Sequence, residues 1–497
     1  MTTLSRRGFL SASAALAATL TLPARARAAG EALTLSATSR VIEVNGRAAT
    51  VWGLANSGGG SGLILDPGQR FRVDLTNTLD VETLIHWHGQ IPPNAQDGVP
   101  DLPMPMLRPG ETRGYDFAPR PGTHWMHAHV PEHEMLLLAA PLVVRRPEDL
   151  AADRQEVVLF LHDFAFKPPS EVLAEITGAS GMAGMDHGNT GAEATGQGGM
   201  AMGNMDMSGM AGMGGMGGMA GMGGMAMDLN DYAFDAYLAN DRTLADPEVV
   251  SVGKAGRVLI RIINASAATV FWIDTGELPG RLVAVDGEPV APLSGTRFGI
   301  AMAQRLDIEV DVPVGGGAFP ILALREGARE RTGIILATPG AAVARVAELS
   351  DADHPAFSAD LTQEAALRSL APLAERPADR SETLMLGGSM MPYVWTINGQ
   401  TWSSHIPVAA KSGERVEISF HNMSMMAHPM HLHGHAFQVV DVNGQRIAGA
   451  LRDTLHVPPM AMITVAVDAG EAARWMLHCH HMAHLATGMM TEFAVSD

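Results

Sequence analysis

Three stretches of the chain repeat one pattern, and that repeat limits the fold more than any other feature. "GQRFRVDLTN" ends at Asn77, "AGRVLIRIIN" at Asn264 and "SGERVEISFHN" at Asn422. Each has a turn glycine, an arginine, alternating apolar residues and a closing asparagine. Alternation with period two predicts a half-buried strand. Nine and eleven residues after Asn77 stand His86 and His88, and at the same offsets after Asn422 stand His431 and His433. After Asn264 the same places hold Ile273 and Thr275. A second repeat follows: "HWMHAH" (His124 to His129) and "RWMLHCH" (Arg474 to His480). Its middle counterpart is "GAFPILAL" (Gly317 to Leu324), without ligands. With the histidine pairs aligned, Ala128 takes the place of Cys479. Two repeats in one order predict an all-β protein of three related Greek-key sandwiches.

A chain of 497 residues has room for about three domains of roughly 150 residues. The first 28 residues read as an export signal, with "SRRGFL" before an apolar run and "ARARA" before cleavage after Ala28. The paired Arg6 and Arg7 resemble a twin-arginine signal, which gives a periplasmic destination. The domains are expected at 29–147, 148–345 and 381–497, with a linker over 346–380. Residues 181–227 interrupt the second as a flexible, glycine-rich insertion with 13 methionines. No apolar run is long enough to span a membrane. A single cysteine excludes an internal disulfide framework. Loss of a leader with four arginines and no acid takes the formal charge from −19 to −23. Such a surface repels nucleic acid and attracts small cations.

Four histidine clusters carry the chemistry: "HWHG" at 86–89, "HAH" at 127–129, "HPMHLHGH" at 428–435 and "HCH" at 478–480, with His484 beyond. Residues i and i+2 of a strand share a face, roughly 6–7 Å apart. His86, His88, His127, His129, His431, His433, His478 and His480 therefore offer eight imidazoles in four pairs. Cys479 faces the other way, where it can join His428 and His484. Two histidines, a cysteine and a weak thioether make a blue copper ligand set, with Met489 as the axial candidate. Closed tetrahedral zinc sites do not fit this set. His133, His162, His187, His354, His405, His421, His435, His456 and His481 are expected at the surface or as satisfied core residues.

These motifs, in this order, resemble the multicopper oxidases of the laccase type over essentially the whole mature chain. The resemblance implies three cupredoxin-like domains and four copper ions. It implies a type 1 copper on His428, Cys479, His484 and Met489, and a type 2 copper on His86 and His431. It implies type 3 coppers on His88, His127 and His480, and on His129, His433 and His478. It also implies that single electrons enter at Cys479, pass to His478 and His480, and reduce O₂ to water. Asp97 in "QDGVP" matches an acid that assists proton delivery in similar proteins; a solvent-exposed turn aspartate is the alternative. Two departures stand out. Leu485 replaces the acid many relatives carry after the last type 1 histidine, and "VPEHEMLLLAAPLVV" replaces the usual segment after "HAH".

The insertion is similar to those of periplasmic cuprous oxidases of the copper-tolerance type. Thioethers select Cu(I), and Met213, Met216, Met219, Met222 and Met225 are candidates for it. A plain linker is the other reading. Met423, Met425, Met426 and Met430 crowd the type 1 motif. Met426 matches a Cu(I)-binding methionine of similar oxidases, but Ser424 stands where they have an acid; gap-filling in the core is the alternative. The expectation is an exported monomeric oxidase of Cu(I), with O₂ as acceptor. A laccase-like oxidase of phenols, diamines or Fe(II), and a copper-buffering protein, are the alternatives.

Overall fold

A computed structural model describes residues 31–178, 229–357 and 361–497. The expected leader and the insertion at 181–227, with its candidates Met213 to Met225, lie outside the described residues. Six sheets form three sandwiches: four strands on four, six on five, and seven on five. Each closes over its own apolar core. Among the described residues, no helix is long and apolar enough to cross a membrane.

The three repeats are the strands Phe71–Asn77, Arg257–Asn264 and Arg415–Asn422. Each pairs parallel with the opening strand of its sandwich and antiparallel on its other side. A parallel pair needs a long crossover, so the three sandwiches share more than hairpins. The closing asparagine does the same work three times. Asn77 Nδ2 donates to the carbonyls of Val81 and Leu107, Asn264 Nδ2 to those of Thr269 and Ile300, and Asn422 Nδ2 to those of Met426 and Val457. Each Oδ1 accepts the backbone N–H two residues on. The side chain thus folds the loop that leads to the second sheet, using every polar atom it buries.

The middle copy departs from the expected half-buried strand. Arg257–Asn264 is buried on both faces after its first residue. Its second face meets the first sandwich: Ile263 packs with Trp125 and Ala139, and Arg261, paired with Asp307, Glu156 and Asp149, donates to Thr123 Oγ1 at 3.1 Å. Burial of Arg261 is tolerated because three carboxylates surround it.

The second repeat forms Gly122–Ala128, Ala318–Arg325 and Arg474–Cys479. In the outer sandwiches the histidine strands are in register, with His86 opposite His127 and His431 opposite His478. In the middle sandwich Ile273 lies opposite Ala323. The same backbone position carries a pair of histidines twice and plain apolar packing once.

Candidate metal centre

The eight imidazoles of the four pairs converge between the first and third sandwiches, all buried. His88, His127 and His480 bring one nitrogen each within 4.8 Å of one another, and so do His129, His433 and His478. His86, His88 and His431 form a third such group. His433 Nε2 lies 3.0 Å from His478 Nε2, and His431 Nε2 lies 3.4 Å from His86 Nε2. Among the described residues, His88 Nδ1, His127 Nε2, His129 Nε2 and His480 Nε2 have no hydrogen-bond partner. Buried nitrogens without partners are rare and costly. A set of them aimed at one place fits metal ions.

Burial, reinforced by neighbouring imidazoles, holds His88, His127, His129, His431, His433 and His480 well below the usual histidine range. His478 is pushed down to about 3, burial again being the main cause. Neutral rings keep their lone pairs for a metal. The metal-free protein should therefore weaken in acid. Unfolded histidines take up protons near 6.5 while these folded ones do not, so stability is full above that value. It falls as the pH drops below about 6.5, and for His478 the loss runs down to its folded value of about 3. The urea midpoint of metal-stripped protein is expected to be lower at about pH 5.5 than at about pH 7.5; equal midpoints would contradict it.

The outward nitrogens are held by groups from several elements. His86 Nδ1 donates to the Asp97 carbonyl at 2.7 Å, and His433 Nδ1 meets Asp97 Oδ2 at 2.8 Å. Asp97 is 1% exposed, so the exposed-turn alternative is overturned. The cause is Gly98, at φ +85, where a Cβ would lie 1.9 Å from the Ile85 carbonyl oxygen. Only glycine lets this turn close onto the histidine strand. His431 Nδ1 donates to the Asp453 carbonyl at 2.8 Å, and His88 Nε2 meets Thr454 Oγ1 at 3.0 Å and Asp453 Oδ1 at 3.2 Å. Asp453 is held by the buried Arg305 of the second sandwich. The sandwich without ligands therefore braces the cluster from behind.

Glu134 was not singled out by sequence reasoning. It sits on the short helix Pro131–Met135, in the segment that departs from the usual pattern. Its Oε2 lies 2.7 Å from His127 Nδ1 and its Oε1 lies 3.8 Å from His480 Nδ1. Burial raises its carboxyl well above the usual range.

On the opposite face of Arg474–Cys479 lies the second centre. Cys479 Sγ is 3.5 Å from His484 Nδ1 and 3.8 Å from His428 Nδ1, and the two nitrogens are 3.1 Å apart. Met489 and Met426 are buried in the same core as Cys479, and the Cys479 N–H donates to the Met489 carbonyl at 3.0 Å. Met430 joins that core, whereas Met423 and Met425 are exposed. Ser424 Oγ lies 2.8 Å from His428 Nε2, so it orients the ring. Asp231 accepts from Tyr393 and lies 3.4 Å from His481 Nε2 and 3.7 Å from His484 Nε2. Burial pushes the Cys479 thiol up, so metal binding there must displace its proton.

A thiol with two imidazoles, flanked in sequence by two members of a buried imidazole cluster, defines a redox protein with several metals. Comparison gives the family. Multicopper oxidase models match residues 36–149, 157–342 and 375–497. The chain belongs to the multicopper oxidase family and is a copper-dependent oxidase. It is 29% identical to multicopper oxidase MmcO of Mycobacterium tuberculosis, over 98% of this chain and 96% of that one. It is 26% identical to copper resistance protein A of Escherichia coli, over 96% and 94% of the two. Its fold is similar to that of Fet3p, described as a multicopper oxidase that functions in iron import. There the TM-score is 0.72 at 16% identity, over 93% of this chain and 90% of that one.

Proposed function

We propose that this oxidase takes Cu(I) as its electron donor and works in the periplasm. In this reading His428, Cys479, His484 and axial Met489 hold the type 1 copper, and His86 and His431 the type 2 copper. His88, His127 and His480 hold one type 3 copper, and His129, His433 and His478 the other. When bound, the four coppers supply stepwise electron transfer, so that four Cu(I), one O₂ and four protons give four Cu(II) and two waters. Asp97 fits the expected role in proton delivery: Oδ2 faces His433, and Oδ1 lies 3.5 Å from His86 Nδ1.

One observation carries the choice of donor: both flanks of the methionine-rich insertion meet the type 1 side of the third sandwich. Before it, Leu173 and Ile176 of the helix Pro169–Ile176 pack on the core that contains Cys479. After it, Asp231 lies against His481, His484 and Tyr393. Thioethers that collect Cu(I) between these anchors raise its local concentration at the electron inlet. Full burial of His428, Cys479 and His484 also favours a small ion over an aromatic ring as the docked donor.

Oxygen uptake with Cu(I) and with a phenol, before and after deletion of residues 181–227, tests this. Deletion is expected to lower Cu(I) turnover at low Cu(I) by about tenfold or more and to spare the phenol reaction. Negligible Cu(I) turnover beside fast phenol turnover would make the laccase-like alternative correct. No O₂ uptake with either, in fully loaded protein, would leave the copper-buffering alternative.

A further inference from the structure

Seven methionines among the described residues are exposed, and all fall between Met385 and Met462 of the third sandwich. Two of them share one row of a sheet. Met385, on Arg380–Met390, pairs with His421 on Arg415–Asn422, and His421 pairs in turn with Met462 on Met462–Asp468. Directly paired residues of adjacent strands point to one face, with Cβ atoms about 5 Å apart. Met385 is 36% exposed and Met462 is 37% exposed, with His421 half-buried between them. The row is therefore Met, His, Met on the solvent side.

The rest of that face is ordinary. The next row holds Thr383, Ser419 and Thr464, with the last two hydroxyls bonded at 2.8 Å. The row after it holds Ser381 and Glu417, and Glu417 pairs with Arg446. Thioethers at the end of such a face do not fill a core, which is what methionine usually does. Two asparagines fix the row at its edges. Asn398 Oδ1 accepts the Met385 N–H at 2.7 Å, and Asn443 Oδ1 accepts the Met462 N–H at 2.9 Å.

Two thioethers and one imidazole make a soft ligand set that prefers Cu(I) to hard cations. We infer that Met385, His421 and Met462 form a surface site for Cu(I), apart from the four resident copper positions. From His421 the chain enters the loop whose Ser424 holds His428, and exposed Met423 and Met425 lie on that loop. The site thus stands at the end of the sandwich that carries the electron inlet. Its role as a docking point rests on the reading of Cu(I) as donor; its binding of a soft ion does not.

The test uses the copper-loaded full chain and Ag(I), a redox-inert stand-in for Cu(I). The Met385→Leu/Met462→Leu double variant is expected to bind one Ag(I) fewer per chain than the parent, with the type 1 colour unchanged. Its KM for Cu(I) is expected to rise roughly tenfold, equivalent to about 1.4 kcal/mol, while phenol turnover stays the same. Carbon-13 labelling of the methionine methyls in the reduced enzyme adds a local readout. The Met385 and Met462 signals, assigned from the single variants, should shift together as Ag(I) is added. An unchanged Ag(I) count with unmoved signals overturns the site, whatever the donor proves to be. Loss of one Ag(I) in an enzyme that does not turn over Cu(I) leaves the site standing and removes the proposed function.

Discussion

A Cys479→Ser variant is expected to lose its blue colour and its oxygen uptake together, with turnover falling by more than about a hundredfold. Thiolate is the soft ligand of the set; a serine oxygen is hard and holds a shorter reach towards His428 and His484. The side chain points away from His478 and His480, which turn to the other face of Arg474–Cys479. The eight-imidazole cluster should therefore keep its copper, and copper per chain should fall by about one ion. Cys479 lies in the core of the third sandwich, so a buried hydroxyl there costs about 1–3 kcal/mol of stability. Metal content separates the two effects. Loss of all copper would mean that the variant is misfolded, and full turnover on a colourless protein would refute electron entry at this residue.

The strand repeats and the inward histidines were legible because both depend on local periodicity. Period two places His86 with His88, and His478 with His480, whatever surrounds them. The repeated asparagine was visible as a letter, and its reason appears only with the loop carbonyls it ties down. Residues that hold the histidines from outside were not legible. Asp453, Thr454 and Arg305 reach the cluster across sandwich boundaries, and no local spacing marks them. Asp231 is distant in sequence from the histidines it meets. Period two also misled once, since the strand at 257–264 gives both faces to burial. The signal that could have found Glu134 was present: an acid within five residues of "HAH", in a segment that breaks the family pattern.

That acid carries the second large effect. The helix Met482–Ala486 brings Leu485 into one apolar cluster with Met135, the neighbour of Glu134. The helix that carries Glu134 thus packs beside the helix that carries His484. Glu134 meets the His127 ring with one oxygen at 2.7 Å and faces the His480 ring with the other at 3.8 Å, so one side chain lies against rings from two sandwiches. Both rings belong to the group completed by His88. A Glu134→Gln amide can accept from one ring only and turns its NH₂ towards the other. Glu134→Leu removes both contacts and adds apolar surface beside Met135 and Leu485. Copper affinity at this position is expected to fall by about ten- to a hundredfold in either variant. The measurement is copper retained per chain after dialysis against a chelator, with the blue absorption as internal control. That absorption should persist, because Glu134 touches none of His428, Cys479 and His484. Removal of a buried carboxyl whose proton affinity burial already raises should leave the metal-free fold intact, so the Leu variant's metal-free melting temperature should match or exceed the parent's. Full copper retention in both variants would reduce Glu134 to a buried acid without a part in holding the metal.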